Sequence, residues 1–88
     1  MSGGYFDYKE YNIEYIANEL EDKIEGEKER IKEEDPFCCS PQMVEEMERI
    51  LKRLREDYVL VSNLDYYLDG DMDEKRYFEK TENDLKKL

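Results

Sequence analysis

The 88-residue chain contains no histidine and no tryptophan, and it has only two prolines, four glycines and two cysteines. Histidine is the commonest general base and a frequent metal ligand, so its absence removes the usual means of activating a serine or cysteine nucleophile. The two cysteines, Cys38 and Cys39, are neighbours in the chain, and adjacent cysteines pair with each other only under strain. We therefore expect no disulfide framework, no metal, no cofactor and no enzymatic activity.

Long apolar runs and positive charge are also scarce. No run approaches the ~20 residues that a membrane-spanning helix needs, and no signal-peptide pattern opens the sequence. With so few cysteines, these absences predict a cytoplasmic protein that does not bind membranes. The 25 acidic and 14 basic residues give a formal net charge of −11. Such a charge repels nucleic acid and anionic lipid, and it favours a basic protein as the partner.

Apolar residues recur at spacings of three and four in two long stretches and one short stretch, the pattern of amphipathic helices. The longest begins at Ser40 and Pro41, which suit a helix cap and a first helical position, and it ends at Gly70. Asp35 and Pro36 end the preceding stretch, and the short link makes the two helices antiparallel. The sequence predicts an all-α domain, a long antiparallel helical hairpin plus a shorter third helix, with helices over about residues 7–34, 41–69 and 74–87.

The second half of the long helix carries more apolar residues than one helix face can hold. Helix segments that are apolar all round are normally covered on several sides, and so small a chain has little to cover this one. We therefore predict a homodimer or higher oligomer, because a two-fold pairing buries the same patch twice. The predicted interface contains Val59, Leu60, Leu64, Tyr66 and Tyr67.

Asp65 falls on the inward stripe of the same helix, where a carboxylate needs a partner. That partner is expected to be a tyrosine hydroxyl or a basic side chain in the core; otherwise Asp65 belongs to a pocket, for which Tyr5 is the second candidate residue.

The first helix carries two features that suit a partner surface. Its tyrosines Tyr8, Tyr11 and Tyr15 form a stripe nearly opposite the aliphatic stripe that faces the second helix. One neighbouring helix cannot bury both stripes, so the tyrosines either meet a partner or are covered by the third helix or the N-terminal arm. The same helix is the most acidic part of the chain, and its acids either bind a basic surface or only keep the protein soluble. The acids concerned are Glu21, Asp22, Glu25 and Glu29.

An acidic turn follows the long helix and resembles a calcium loop. Asp69, Asp71 and Asp73 occupy alternate positions, but an EF-hand needs glycine at its sixth place and glutamate at its twelfth. Counted from Asp69, those places hold Glu74 and Lys80. The pattern therefore favours a turn followed by a helix cap at Asp71 or Asp73.

The opening MSGGYFDYKEYNIEYIANELE resembles a small family of uncharacterised phage and prophage proteins. Its members open with MSGG, an aromatic residue, an acidic-aromatic phrase and an IA.E(I/L)E helix, and they usually carry histidine where this chain has Tyr5. The Asp-aromatic step at 65–66, the Gly-Asp turn at 70–71, and Phe78 and Leu85 in the tail fit the same family. The resemblance implies a phage context, in which small acidic proteins often block host defence.

These observations predict a phage-encoded small acidic interaction protein, a non-catalytic inhibitor of a host defence protein with a basic, nucleic-acid-binding surface. The alternative is an oligomeric sponge that sequesters a small signalling nucleotide. In that case tyrosines would stack on the base, and the basic residues near the phosphates would be Arg49, Lys52 and Arg53, or Lys75 and Arg76.

Overall fold

The computed structural model describes residues 4–88, which form three α-helices joined by short links. The helices are α1 (Tyr11–Lys32), α2 (Pro41–Leu68) and α3 (Glu74–Lys86), and the described residues contain no β-strand. Ion pairs between Glu21 and Arg55 and between Lys28 and Glu48 show that α1 and α2 are antiparallel. The predicted all-α hairpin with a shorter third helix is confirmed.

The prediction that α1 begins near residue 7 is wrong. Asp7 and Tyr8 have φ angles of 55° and 66°, in the left-handed region, and residues 4–10 form turns. A helix cannot pass through two such residues, so α1 starts only at Tyr11. At the other end Glu34, with φ 56°, ends the helical path shortly before Pro36.

The ends of α2 and α3 are set by capping residues that can be recognised in the sequence. The Ser40 hydroxyl accepts a 3.1 Å hydrogen bond from the backbone N–H of Met43, and Pro41 is the first residue of α2. Of the two candidate caps for α3, Asp73 has this role, since its carboxylate accepts a 2.7 Å hydrogen bond from the N–H of Arg76. Gly70 follows α2 with φ 85°, as its predicted position after the helix requires.

The three helices lie in one layer with α2 in the middle. In the part of the chain that the structure describes, α1 and α3 each pack on α2 and make no contact with each other. The fold measures 52 × 27 × 14 Å, and the smallest dimension is little more than one helix diameter of ~10–12 Å. Its radius of gyration is 16.8 Å, against about 12 Å for a compact domain of this length. Both broad faces of the layer are therefore open.

Few apolar side chains are buried in this layer. Ala17, Ile24 and Val44 are the buried hydrophobic residues among those described, and no large side chain is fully buried. Polar and charged residues occupy the other buried positions, namely Glu10, Glu27, Asn63, Asp65 and Thr81. A buried polar group costs free energy unless it is hydrogen-bonded, so each of these five residues is expected to have a hydrogen-bond partner.

Candidate functional site

Asp65 lies near the end of α2 and binds the N-terminal segment. Its side-chain Oδ1 accepts a 2.8 Å hydrogen bond from the backbone N–H of Phe6, and the residue is only 7% exposed. The expectation of a tyrosine hydroxyl or a basic side chain as the partner is wrong, because residues 4–10 turn back over α2 and present a backbone donor instead. Asp65 thereby fixes the N-terminal segment to the central helix.

Gly4 packs directly against the same carboxylate. Its φ is 73°, and a Cβ atom at this position would lie 2.5 Å from Oδ2 of Asp65. Only glycine combines that conformation with so close an approach. Tyr5 packs edge-on against Phe6, with 5.1 Å between the ring centroids, and it points its ring into solvent rather than into the cleft beside Asp65. Of the two predicted pocket residues, Asp65 alone lines that cleft.

The cleft beside Asp65 has a volume of about 260 Å³ and an acidic lining. We call it the acidic cleft. Glu10 is 7% exposed, its Oε2 atom is buried, and that atom accepts no hydrogen bond from residues 4–88. None of the acids that line the cleft forms an ion pair with a described residue. The lining consists of Gly4, Tyr8, Glu10, Tyr11, Asp65, Tyr66, Asp69 and Asp71.

These carboxylates do not converge as metal ligands do. The described residues contain no group of three or more acidic or cysteine side chains placed to hold a metal ion. The sequence contained two signals for the cleft, the inward position of Asp65 on the long helix and the inward position of Glu10 on the expected first helix. Glu10 was not predicted as a site residue, although its spacing of seven residues from Ala17 places it on the inward stripe of the expected first helix.

The three tyrosines near the start of α1 have different surroundings. Tyr8 precedes the helix and stacks on Tyr11 with 6.1 Å between ring centroids, and Tyr11 in turn lies 6.2 Å from the ring of Tyr58 in α2. Burial, with the nearby Glu14 carboxylate, raises the pKa of Tyr58 to about 12. Tyr15 is 59% exposed. Tyr11 is thus partly covered within the monomer, whereas Tyr15 remains available to a partner.

The predicted acidic surface of α1 divides into paired and unpaired carboxylates. Glu21 pairs with Arg55 of α2 at 2.5 Å. Asp22, Glu25 and Glu29 are exposed and form no ion pair with any described residue. At 3.6 residues per turn, Asp22 and Glu29 lie nearly opposite the buried Ile24, and Glu25 lies beside them on the same flank of α1. We call these three residues the outer acidic face.

Glu27, one turn before the end of α1, points inward and joins the helix to the link that follows it. Its carboxylate lies 2.9 Å from the Lys23 ammonium and accepts a 3.1 Å hydrogen bond from the backbone N–H of Cys39. These two partners lower the pKa of Glu27 to about 2. Burial and the neighbouring Glu27 raise the pKa of the Cys39 thiol, so the environment disfavours the reactive thiolate.

A second cleft, of about 440 Å³, separates α2 from α3. Tyr58 and Tyr66 line it together with the cationic side chains of Arg76 and Lys80. The other polar lining residues are Ser62, Asn63, Asp71 and Asp84. Lys80 is already paired with Asp84 at 2.8 Å. We call it the interhelix cleft.

The buried side chain of Asn63 ties α3 to α2 beside the interhelix cleft. Its amide donates hydrogen bonds of 3.1 Å to the Thr81 hydroxyl and 3.2 Å to the Asp84 carboxylate. Lys80, followed by Asn63, lowers the pKa of Asp84. This polar contact accounts for two of the five buried polar residues.

The predicted oligomer interface is partly occupied by α3. Leu64 and Tyr67 line a groove against Tyr77 and Phe78, and the Tyr67 hydroxyl donates a 3.2 Å hydrogen bond to Glu74. Val59 lines the interhelix cleft. The other two predicted residues, Leu60 and Tyr66, remain exposed, as does Phe78 of α3.

Comparison of the chain with protein-family models, with curated proteins and with solved structures yields no match in any of the three. None of the described helices combines the length and the apolar character that crossing a membrane requires. The chemistry of the clefts and faces described above is therefore the basis for assigning a function.

Proposed function

We propose that this protein is a non-catalytic interaction protein that binds a basic surface of another protein through its outer acidic face. The observation that carries the proposal is that Asp22, Glu25 and Glu29 are exposed on one side of α1 and form no ion pair within residues 4–88. Neighbouring carboxylates on such a face are about 5–6 Å apart, and their mutual repulsion is relieved when a cationic surface docks.

The neighbouring acids of α1 show why the outer face is distinct. Glu21 and Glu27 already have basic partners within the fold, at 2.5 Å from Arg55 and 2.9 Å from Lys23. Docking through the outer face leaves those pairs intact, so the fold need not change on binding. Charge attraction also makes association fast and sensitive to salt, because exposed charges are screened within ~10 Å at 0.1 M ionic strength.

We further propose that the partner is a host defence protein with a basic, nucleic-acid-binding surface, which this protein inhibits in the host cytoplasm. The support is the resemblance of residues 1–21 to phage and prophage proteins, together with the net charge of −11. A rod of regularly spaced carboxylates occupies a groove that otherwise accepts the phosphates of a nucleic acid strand.

Self-association is a separate proposal that concerns the open faces of the layer. Most domains bury their apolar residues between two packed layers, whereas this chain forms a single layer 14 Å thick. A second copy packed face to face supplies the missing layer, and two-fold symmetry brings Leu60 and Phe78 into the contact twice. The net charge of −11 favours these apolar residues over the acidic face as the contact.

The main proposal is tested by reversing charge on the outer acidic face. We expect the unmodified chain, immobilised through a C-terminal tag, to capture a specific host protein that the double variant Glu25→Lys, Glu29→Lys does not. The matched control is Glu45→Lys, Glu79→Lys, which changes net charge equally at exposed acids of α2 and α3 that form no ion pair with the residues described.

The captured protein is then purified and titrated against all three chains at increasing salt. The proposal requires weak binding to the Glu25/Glu29 variant, unchanged binding to the control variant, and affinity that falls with salt. Equal affinity for all three chains at low salt would contradict it, and the exposed Tyr15 would become the better candidate for the contact.

The interhelix cleft favours a second candidate function, the sequestration of a small nucleotide. Tyr58 and Tyr66 offer rings for stacking, and Arg76 forms no ion pair with a described residue. Two acids in the same lining oppose a phosphate, so this candidate ranks second. A thermal-shift screen with mono- and cyclic dinucleotides tests it: stabilisation that disappears in Arg76→Ala supports sequestration, and no stabilisation excludes it.

A further inference from the structure

We propose that the acidic cleft binds an organic cation, an alkylammonium or guanidinium group. The site lies between the N-terminal segment and the C-terminal half of α2, and none of its residues belongs to the outer acidic face of α1. The inference is therefore independent of the proposed function and can fail or succeed without it.

The acidic cleft carries negative charge that no neighbouring cation balances in the described part of the chain. Glu10 and Asp65 are each 7% exposed, and Asp69 and Asp71 add two more carboxylates to the same lining. A carboxylate removed from water needs a cation or several hydrogen-bond donors. No described residue supplies a cation to any of the four.

Glu10 is the carboxylate of the cleft that most needs a hydrogen-bond donor. It is the residue that precedes α1, yet its side chain makes no capping hydrogen bond to that helix. Its Oε2 atom is buried and has no hydrogen-bond partner in the described part of the chain, although an ionised carboxylate can accept about four such bonds. The partial positive charge at the start of α1 eases the burial of this group without supplying a donor. A ligand with N–H donors would satisfy it.

The aromatic residues of the cleft identify the class of cation. Tyr8 and Tyr11 stack with ring centroids 6.1 Å apart, and Tyr66 lines the cleft beside Asp65. Tyrosine rings attract ammonium and guanidinium groups through their electron-rich faces and also cover an alkyl stem. The described acids do not converge on a point where a metal ion could bind. Several carboxylates and aromatic rings around one cleft instead suit an extended cation with several N–H donors.

The size of the cleft restricts the ligand further. Its volume of about 260 Å³ lies below the ~300–1,000 Å³ of ordinary small-molecule pockets. That space suits one amine-bearing or guanidinium-bearing side chain, or a free amine of similar size. Both sources present the same chemistry to Glu10 and Asp65.

Titration calorimetry with three probes tests the inference and separates the two sources. The probes are agmatine, a blocked Gly-Gly-Arg-Gly-Gly peptide, and the same peptide with citrulline in place of arginine. Citrulline keeps the shape of the arginine side chain but has no charge. We expect agmatine, the arginine peptide or both to bind the unmodified protein, and the citrulline peptide not to bind. Binding of agmatine alone identifies a free amine as the natural source, and binding of the peptide alone identifies a protein side chain.

Two variants assign any binding to the cleft. Glu10→Gln preserves the shape of the buried side chain and should weaken the cation about tenfold or more, as loss of a charge-assisted contact predicts. Asp71→Asn, at an exposed rim position, should also weaken it and leaves the fold intact even if Glu10→Gln unfolds. The matched control Glu79→Gln removes an exposed charge that does not line the cleft and should leave the affinity unchanged. Failure of both cationic probes to bind, equal binding of citrulline, or unchanged binding to the Asp71 variant would overturn the proposal.

Discussion

The backbone N–H of Phe6 donates a hydrogen bond of 2.8 Å to Oδ1 of Asp65, a residue 59 positions further along the chain. This contact holds the N-terminal segment against α2 and forms one wall of the acidic cleft. Gly4 lies on the other carboxylate oxygen, so both oxygens of Asp65 face the same short segment. The stability of the segment and the existence of the cleft therefore depend on the same residue.

Replacement of glycine by alanine should have opposite effects at two positions. Gly4→Ala should destabilise the protein by about 1–3 kcal/mol, since the new Cβ atom would lie 2.5 Å from Asp65 and the φ of 73° disfavours any side chain. Gly26→Ala is the matched control: it lies inside α1, where a Cβ meets nothing within 4 Å, and should stabilise by about 1 kcal/mol.

Urea denaturation followed by circular dichroism measures both changes in the free energy of unfolding. Amide hydrogen exchange at Phe6 adds a local measurement, because loss of the bond to Asp65 should accelerate exchange there in Gly4→Ala and not in Gly26→Ala. Slow exchange retained in Gly4→Ala would show that the segment does not depend on the close approach.

The contact between Asn63 and Thr81 should behave as a coupled pair. Asn63→Ala should cost about 1–3 kcal/mol, because it removes the donor to two buried or half-buried oxygens. In a double-mutant cycle with Thr81→Val, we expect a coupling free energy of about 0.5–1.5 kcal/mol. Asn83→Ala, at an exposed position of α3, is the control and should change stability by less than about 0.5 kcal/mol. Simple additivity of the two changes would mean that α3 is held by other contacts.

Glu27 should make the stability of the protein depend on acid pH. Its pKa is about 2 in the folded protein and 4.5 normally, so the ionised form is favoured by folding. The resulting stabilisation is complete above pH 4.5 and is lost as pH falls from 4.5 towards 2. Glu27→Gln should lower the melting temperature at pH 7 and flatten the acid side of its pH profile.

Thermal melts between pH 7 and pH 2 measure that profile. The control is Glu25→Gln on the outer acidic face, which removes a carboxylate that has no basic partner in the described structure. Its profile should keep the slope of the unmodified protein. If Glu27→Gln retained the same slope as well, the pairing with Lys23 and Cys39 would not be the source of the acid sensitivity.

Self-association is expected to depend on the apolar residues left open by α3. Light scattering at high micromolar concentration should give the mass of a dimer, and Leu60→Glu should shift it to that of a monomer. Phe37→Glu, in the link between α1 and α2, is the control, because Phe37 is exposed but lies outside the predicted interface. A monomer mass for the unmodified chain would contradict the proposed self-association.

The helical architecture was predictable because its determinants are local. The aliphatic periodicity predicted three helices, and Ser40, Pro41 and Gly70 marked the ends of α2 within a residue. Each of these signals acts through neighbours one or two turns away along the chain, so a single sequence contains the information. The antiparallel arrangement of α1 and α2 then followed from the short link at Pro36.

The acidic cleft was decided by tertiary structure. Asp65 could be recognised as an inward acid, but its partner is a backbone N–H, and every residue has one, so no side-chain pattern marks it. The left-handed conformations of Asp7 and Tyr8 redirect residues 4–10 onto α2, and this segment brings Gly4 and Tyr8 beside the buried Glu10 to form the cleft. Sequence alone thus determined which segments are helical, through contacts within a few residues. Only the packing of the N-terminal segment on α2, a contact between distant parts of the chain, decided which acids became a site.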